Sequence, residues 1–219
     1  MHRVVTIDGP AGSGKSTVAR RLAEEIGFRY VDTGAMYRAV AVKVIDAGIP
    51  ESDDERIGEA AETARLRFEG DRVFIDDRDV TEDIRSLKIS TILSTVAANF
   101  RVRAAMKDLQ RRTALDSDIV MEGRDIGSAV FPEADVKFFL EADAAERARR
   151  RCRQLGLNTS PGNPEFEEVR QDITNRDKAD TEREHAPLVR PPDAVLVDTS
   201  GMDISEVVDF LVKCVREQI

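Results

Sequence analysis

The 219-residue sequence predicts an α/β fold, an open five-stranded parallel sheet with helices on both faces, on three observations. A β-branched run, Val4-Val5-Thr6-Ile7, leads into Gly9-Pro10-Ala11-Gly12-Ser13-Gly14-Lys15-Ser16, which fits G-x-x-x-x-G-K-[ST]. Behind that loop Val18, Ala19, Leu22, Ala23 and Ile26 recur at helical spacing, so strand, loop and helix follow in order. Later apolar runs are continuous rather than alternating and are separated by helical patterns, as expected of parallel strands covered on both faces.

Taken in order, Arg3 to Asp8 reads as the first strand, and the helix behind the loop runs to about Gly27. Phe28 to Asp32 is a short second strand, followed by a helix over Ala35–Asp46 that Gly48 and Pro50 end. Ser52 with Glu55 resembles a capping box and starts a helix through about Ala64. Leu66-Arg67-Phe68, Val73-Phe74-Ile75 and Asp79-Val80 are short, with turn residues between them, and predict a small antiparallel insert over about 66–80. Helices are expected from about Ile84 to Ala98 and from Val102 to Leu115. Asp118 to Glu122 and Val136 to Leu140 are the third and fourth core strands. An arginine-rich helix over Asp143–Leu155, a mobile loop over Gly156–Pro164 and a helix through about Asp177 come next. Ala194 to Val197 is the fifth strand and Ile204 to Val215 the closing helix. The whole is expected to be one domain over 1–219, with one sub-region at about 33–115 that carries the insert and another, expected to be mobile, at about 152–178.

A formal net charge of −9 argues against a nucleic-acid coat, which needs a basic field. No apolar run is long enough to cross a bilayer, and the first strand leads straight into a functional loop where a leader would stand, so a cytoplasmic chain is expected. Cys152 and Cys214 are expected as free thiols rather than a disulfide framework. His2 and His185 lack metal-ligand spacing and read as surface histidines. The arginines cluster at Arg147–Arg153 and recur at Arg170, Arg176 and Arg183, which suits a small polyanion held in a cleft.

The chemistry of the loop is direct. Glycines let backbone N–H groups crowd a phosphate without Cβ clashes, and the helix N-terminus behind them favours negative charge. Lys15 reaches the β- and γ-phosphates and Ser16 offers a hydroxyl to Mg²⁺. Ligands of open α/β sheets bind beyond the carboxyl ends of the strands. The loop, Asp32-Thr33-Gly34 and Glu122-Gly123-Arg124-Asp125 all fall there.

A P-loop alone does not separate kinases, GTPases and motors. Beyond it, Asp32-Thr33-Gly34-Ala35-Met36-Tyr37-Arg38, Glu122-Gly123-Arg124-Asp125-Ile126-Gly127 and Arg176-Asp177-x-x-Asp180-x-x-Arg183 make the chain resemble the bacterial cytidylate kinases, essentially over its whole length. One departure is Glu122, where many relatives carry Asp. The resemblance implies transfer of the γ-phosphoryl of ATP to CMP or dCMP with Mg²⁺, by a monomer that binds small nucleotides and neither nucleic acid nor membrane. It implies that Gly9, Pro10, Ala11, Gly12, Ser13, Gly14, Lys15, Ser16 and Thr17 hold ATP. Ser16 would hold Mg²⁺, with Glu122 acting through water. CMP would be held by Thr33, Tyr37, Arg38, Ser94, Arg103, Arg124, Asp125, Arg176, Asp180 and Arg183. Lys15, Arg124, Arg147, Arg151 and Arg183 would be catalytic. Asp125 would accept from the cytosine amino group, with Ser94 and Arg103 as further base contacts.

Other assignments stand beside these. Arg149, Arg150 and Arg153 read as a solvated helix face. A P-loop kinase acting on UMP or AMP, or a P-loop switch without turnover, shares the first motif. Asp32-Thr33-Gly34 and Asp198-Thr199-Ser200 echo aspartic proteases, but those need two β-rich lobes and this chain is rich in helix.

Overall fold

The computed structural model describes residues 2–219, apart from the side chains of Leu87 and Ser90. Two compact units are present, one of Met1–Val31 with Ala114–Ile219 and one of Asp32–Thr113.

The first unit is built on a five-stranded sheet. Its strands are β1 (Val4–Asp8), β2 (Arg29–Asp32), β6 (Ile119–Gly123), β7 (Val136–Glu141) and β8 (Val195–Asp198), in the order β2-β6-β1-β7-β8. β1 pairs parallel with β6 and β7, and β7 parallel with β8, as the continuous apolar runs predict. Val5 and Ile7 of β1 face α1 (Lys15–Ile26) and α8 (Ile204–Gln218), packing with Leu22, Phe138, Leu140 and Leu211 in one core. By strand alternation Thr6 and Asp8 face the other way, where a short π-helical turn, Ile126–Val130, packs on them. A Cβ on Gly127 would lie 2.8 Å from Thr6 Oγ1, so glycine is what lets that turn sit on β1.

Two further helices of this unit, α6 (Ala144–Leu155) and α7 (Pro164–Glu182), form a hairpin with its own small core of Ala148, Cys152, Phe166, Val169 and Ile173. Asp143 caps α6, Gly156 ends it at φ +69°, and Asn163 with Pro164 starts α7. α7 continues to Glu182 rather than ending near Asp177. The expected stop lacks a breaker, and the buried face continues from Phe166 to Ile173. The extra turn puts Asp180 inside the helix and Arg183 at its end.

The second unit holds α2 (Thr33–Asp46), α3 (Asp54–Glu62), β3 (Leu66–Glu69), β4 (Arg72–Ile75), β5 (Arg78–Asp79), α4 (Leu87–Ala98) and α5 (Phe100–Thr113). The three strands pair antiparallel in chain order, as expected of the insert. Asp76 and Asp77 both take positive φ, which closes β4 on β5 with the handedness a two-residue hairpin prefers. The cap of α3 is Asp53, which accepts from Arg56 N at 3.1 Å, not Ser52 as the capping-box pattern suggests. The expected single helix from Ile84 is divided. A 3-10 turn spans Asp83–Arg85, and Ser86, extended at ψ 152°, breaks the path before α4.

No helix of the described residues is long and apolar enough to cross a membrane.

Candidate active site

The glycine loop between β1 and α1 is shaped as much by its neighbours as by the anion it suits. A Cβ on Gly9 would lie 2.0 Å from the Leu140 carbonyl oxygen of β7, and one on Gly12 3.2 Å from Arg147 Cβ of α6. Gly12 and Gly14 sit at φ +75° and +93°, which turns the loop back on itself. These glycines therefore serve packing and turn geometry as well as close approach of a phosphate.

Lys15 is buried at the start of α1. Its Nζ donates to Pro10 O at 2.7 Å and Ser13 Oγ at 3.3 Å, so the ammonium lies curled over the loop. Burial, then the nearby Arg124 guanidinium, pull its pKa down to about 7, against the opposing pull of Glu122, Asp8 and Asp180. Ser16 and Thr17 are exposed on the first turn of α1.

Asp8, at the tip of β1, is missing from the residues expected to form the site. Its two carboxylate oxygens accept from Ile126 N at 2.9 Å and Gly127 N at 2.7 Å. Burial pushes its pKa up to about 6 despite those two bonds. It thereby fixes the backbone that carries Arg124 and Asp125. Its place beside the first loop glycine is the only sequence signal for this role.

Around that backbone the charges alternate. Arg124 Nε donates to Asp180 Oδ2 at 2.9 Å. Arg183 Nη2 donates to Asp125 Oδ1 at 3.2 Å, and its Nη1 lies 3.5 Å from Asp180 Oδ1. Both members of the Arg183–Asp125 pair are under one-tenth exposed. The left-handed backbone of Ala186, φ +49°, presents a carbonyl that accepts from Arg183 Nε at 2.7 Å. Four residues drawn from two separate sequence motifs are thus brought into one network. Glu122 is buried on β6 and accepts from Tyr30 Oη at 2.6 Å, a partner that sequence alone does not identify. Arg176 lies half-buried on α7.

On α6 the arginines divide by helical face. Arg147 Nη1 donates to Ala11 O at 2.9 Å and pairs with Asp177 Oδ2, while its Nε donates to Ala142 O at 3.0 Å. Asp177 Oδ1 in turn accepts from Ala11 N at 3.1 Å. Arg150, expected on a solvated face, is half-buried instead. It donates to Ser13 O at 3.3 Å and Thr199 O at 2.7 Å, which ties α6 to the loop. It lies three positions after Arg147, so both lie on the face that meets the loop. Arg151 is exposed and donates to Gln154 Oε1. Arg149 pairs with Glu146, and Arg153 is exposed.

The second unit carries its own cluster. Asp32 caps α2 by accepting from Ala35 N at 2.9 Å and holds Arg38 Nη2 at 2.9 Å. A Cβ on Gly34 would lie 2.8 Å from Arg38 Nη1, so the glycine of Asp32-Thr33-Gly34 clears the path of that ion pair. Thr33 is buried on the first turn. Arg103 is buried on α5, donates to Ala97 O at 3.1 Å and lies over the Tyr37 ring at 5.6 Å. Ser94 is exposed on α4.

A family model described as cytidylate kinase matches residues 5–217. The chain is similar to a protein named cytidylate kinase from Chlorobaculum tepidum, 45% identical over 223 residues, covering 98% of this chain and 95% of that one. A protein of the same name from Clostridioides difficile is 42% identical over 212 residues, covering 95% and 96%. Among solved structures, an uncharacterized protein from Eubacterium ventriosum is similar at TM-score 0.57 and 11% identity, covering 98% of this chain and 99% of that one, a likeness of fold alone.

Proposed function

The chain belongs to the cytidylate kinase family, and on that premise we propose that it transfers the γ-phosphoryl of ATP to CMP and dCMP, giving ADP and the diphosphate. The observation that carries this reading is a family match over residues 5–217. An intact phosphate loop with its lysine buried and bonded to the loop supports it.

The acceptor needs no general base. A nucleoside monophosphate has its second pKa near 6, so its phosphate is already a dianion at neutral pH. The task left to the protein is to bring two polyanions together and stabilise charge on the moving phosphoryl. Gly9 to Thr17 cradle the donor, with loop N–H groups and Lys15 on the β- and γ-phosphates. ATP draws the Lys15 ammonium off Pro10 O and Ser13 Oγ and onto phosphate oxygen. Arg147 and Arg151 of α6 are proposed to meet the transferring group, Arg147 being the one already bonded to the loop.

Arg124 and Arg38 are proposed to grip the acceptor phosphate, since a guanidinium fork matches phosphate oxygens in pairs. Asp125 accepts from the cytosine amino group, and Ser94 and Arg103 are proposed as further base contacts. Arg176 and Asp180 hold the ribose hydroxyls, Thr33 and Tyr37 line the acceptor, and Arg183 meets the phosphoryl as it moves. These contacts are carried over from the family resemblance, residue by residue. Residues 152–178 are proposed as a lid, and four of the five residues of the hairpin core, Cys152, Phe166, Val169 and Ile173, lie within it, which supports movement as one piece. Closure excludes water, the competing acceptor.

The donor set suits Mg²⁺. The Ser16 hydroxyl and the Glu122 carboxylate are hard oxygen donors, and this ion takes few protein ligands because phosphate oxygens and water complete its shell. When bound, it would neutralise charge on the β- and γ-phosphates.

A coupled ADP-release assay with Mg²⁺–ATP across CMP, dCMP, UMP, AMP and GMP tests the proposal, with Lys15→Ala as control. Turnover with CMP and dCMP, lost in Lys15→Ala while its thermal melt stays cooperative, is the expected result. ADP release with AMP alone would assign another acceptor. ATP binding with no ADP from any acceptor would make the protein a switch.

A further inference from the structure

We infer that the Asp177 carboxylate is an intramolecular stand-in for phosphate, holding two groups of the ATP site until the nucleotide displaces it. The inference rests on the proposed ATP site and goes beyond it, since the resemblance gives Asp177 no role. One oxygen of this carboxylate accepts from the loop amide of Ala11 at 3.1 Å, and the other pairs with Arg147 Nη1. Both groups are cationic or partly positive and both belong to the site proposed for the triphosphate. The carboxylate therefore makes the kind of contacts an incoming phosphate oxygen seeks.

Two features favour a displaceable group over a fixed tie. Arg147 does not depend on Asp177 for its position, because Ala11 O and Ala142 O also hold it. Asp177 also borders open space, a cavity of about 670 Å³ that Pro10, Arg147, Thr181 and Leu188 help to line. Its side chain is one-fifth exposed, against 9% for Arg147. Asp177 thus has room to leave while Arg147 stays. A triphosphate arriving with Asp177 in place would set like charges against each other, so binding and displacement are one event. The apparent affinity for ATP is then reduced by the fraction of molecules in which the carboxylate has left.

The test is calorimetric titration of ATP, and separately of inorganic triphosphate, into the wild type and the variants Asp177→Asn, Asp177→Ala and Asp177→Glu. If Asp177 occupies the site about nine-tenths of the time, the two neutral variants bind both probes on the order of tenfold more tightly than wild type. Asp177→Glu, which keeps the charge, stays within about twofold of wild type. Unchanged or weaker binding in the neutral variants would overturn the inference and make Asp177 a positioning residue for Arg147. Loss of cooperative unfolding in both neutral variants would make it a structural tie, with the same consequence. A wild type that binds neither probe would remove the ATP reading itself, an outcome distinct from the other two.

Discussion

Arginine–carboxylate pairs occur in both units of this protein, in opposite settings. In the small antiparallel insert, Arg65–Asp77 is 74% and 78% exposed and Arg72–Asp79 59% and 39%. Arg67–Glu69 and Arg78 with Asp46 and Asp83 are likewise exposed. Around the β6 tip, Arg183–Asp125 is 7% and 8% exposed. Exposed pairs contribute little, because water and salt screen the attraction and two long side chains must be ordered. Buried pairs are costly to assemble and costlier to break from one side, since the charge left behind has no solvent. The two settings teach that a carboxylate can keep a cation desolvated and ready. A phosphate that takes the carboxylate's place then gains a charge already stripped of water.

Replacing the same residue type in the two settings is the sharpest way to break the comparison. Arg183→Ala should lower kcat on the order of 10³-fold, as loss of an arginine does in related phosphoryl transfers. It should also cost about 3–5 kcal/mol of stability, because one side of a buried ion pair is removed. A wild-type kcat in steady-state kinetics would make Arg183 a bystander.

Next in size is base choice. Asp125→Ala should reduce the preference for CMP over UMP by about 1–3 kcal/mol, or about 5- to 160-fold in the ratio of kcat/KM, while ATP affinity changes less. An unchanged ratio would remove Asp125 as the reader of the amino group.

A smaller effect is protonic. With its pKa drawn down to about 7 by burial, Lys15 is mostly neutral in the free protein at pH 8 and charged at pH 6. ATP raises that pKa again by supplying anions, so binding takes up about one proton at pH 8 and far less from Lys15 at pH 6. The linkage fixes the sign, with ATP affinity falling as pH rises above 7. Calorimetry in buffers of different ionisation enthalpy measures the uptake, and none at pH 8 would show that Lys15 keeps its charge in the free protein.

The smallest effect belongs to the insert. Arg72→Ala should move Tm by less than about 2 °C, since surface substitutions of this kind rarely do more. The low pKa of Asp79, about 2, supports this, because the Thr81 side chain is its largest cause and Arg72 a later one. A loss as large as that of Arg183→Ala would erase the distinction between the two settings.

Much of the fold was legible because its signals are local. Val4–Ile7, Asp118–Glu122 and Val136–Leu140 read as strands from their own residues, and Gly27 and Gly156 mark helix ends wherever they occur. The errors came where neighbouring signals compete. Ser52 and Asp53 both suit a cap, and Asp53 is the one bonded. Ser86 leaves the helical path although nothing in its type requires it. In the site, Asp8, Tyr30, Asp177 and Arg150 were invisible or misplaced because their partners lie far away in the chain. Asp8 bonds amides 118 and 119 residues on, and Arg150 reaches a carbonyl 137 residues back.

The amino-acid sequence by itself determined the strand–loop–helix cradle, the alternation that makes a parallel sheet, and the kinds of side chain gathered at the strand tips. Those follow from backbone preference and apolar spacing, which act within a few residues. Only the tertiary structure decided which carboxylate faces which guanidinium, that Lys15 lies desolvated over its own loop, and that Asp177 holds the Ala11 amide. Burial and charge pairing depend on distances between segments remote in the chain, and folding alone sets those distances.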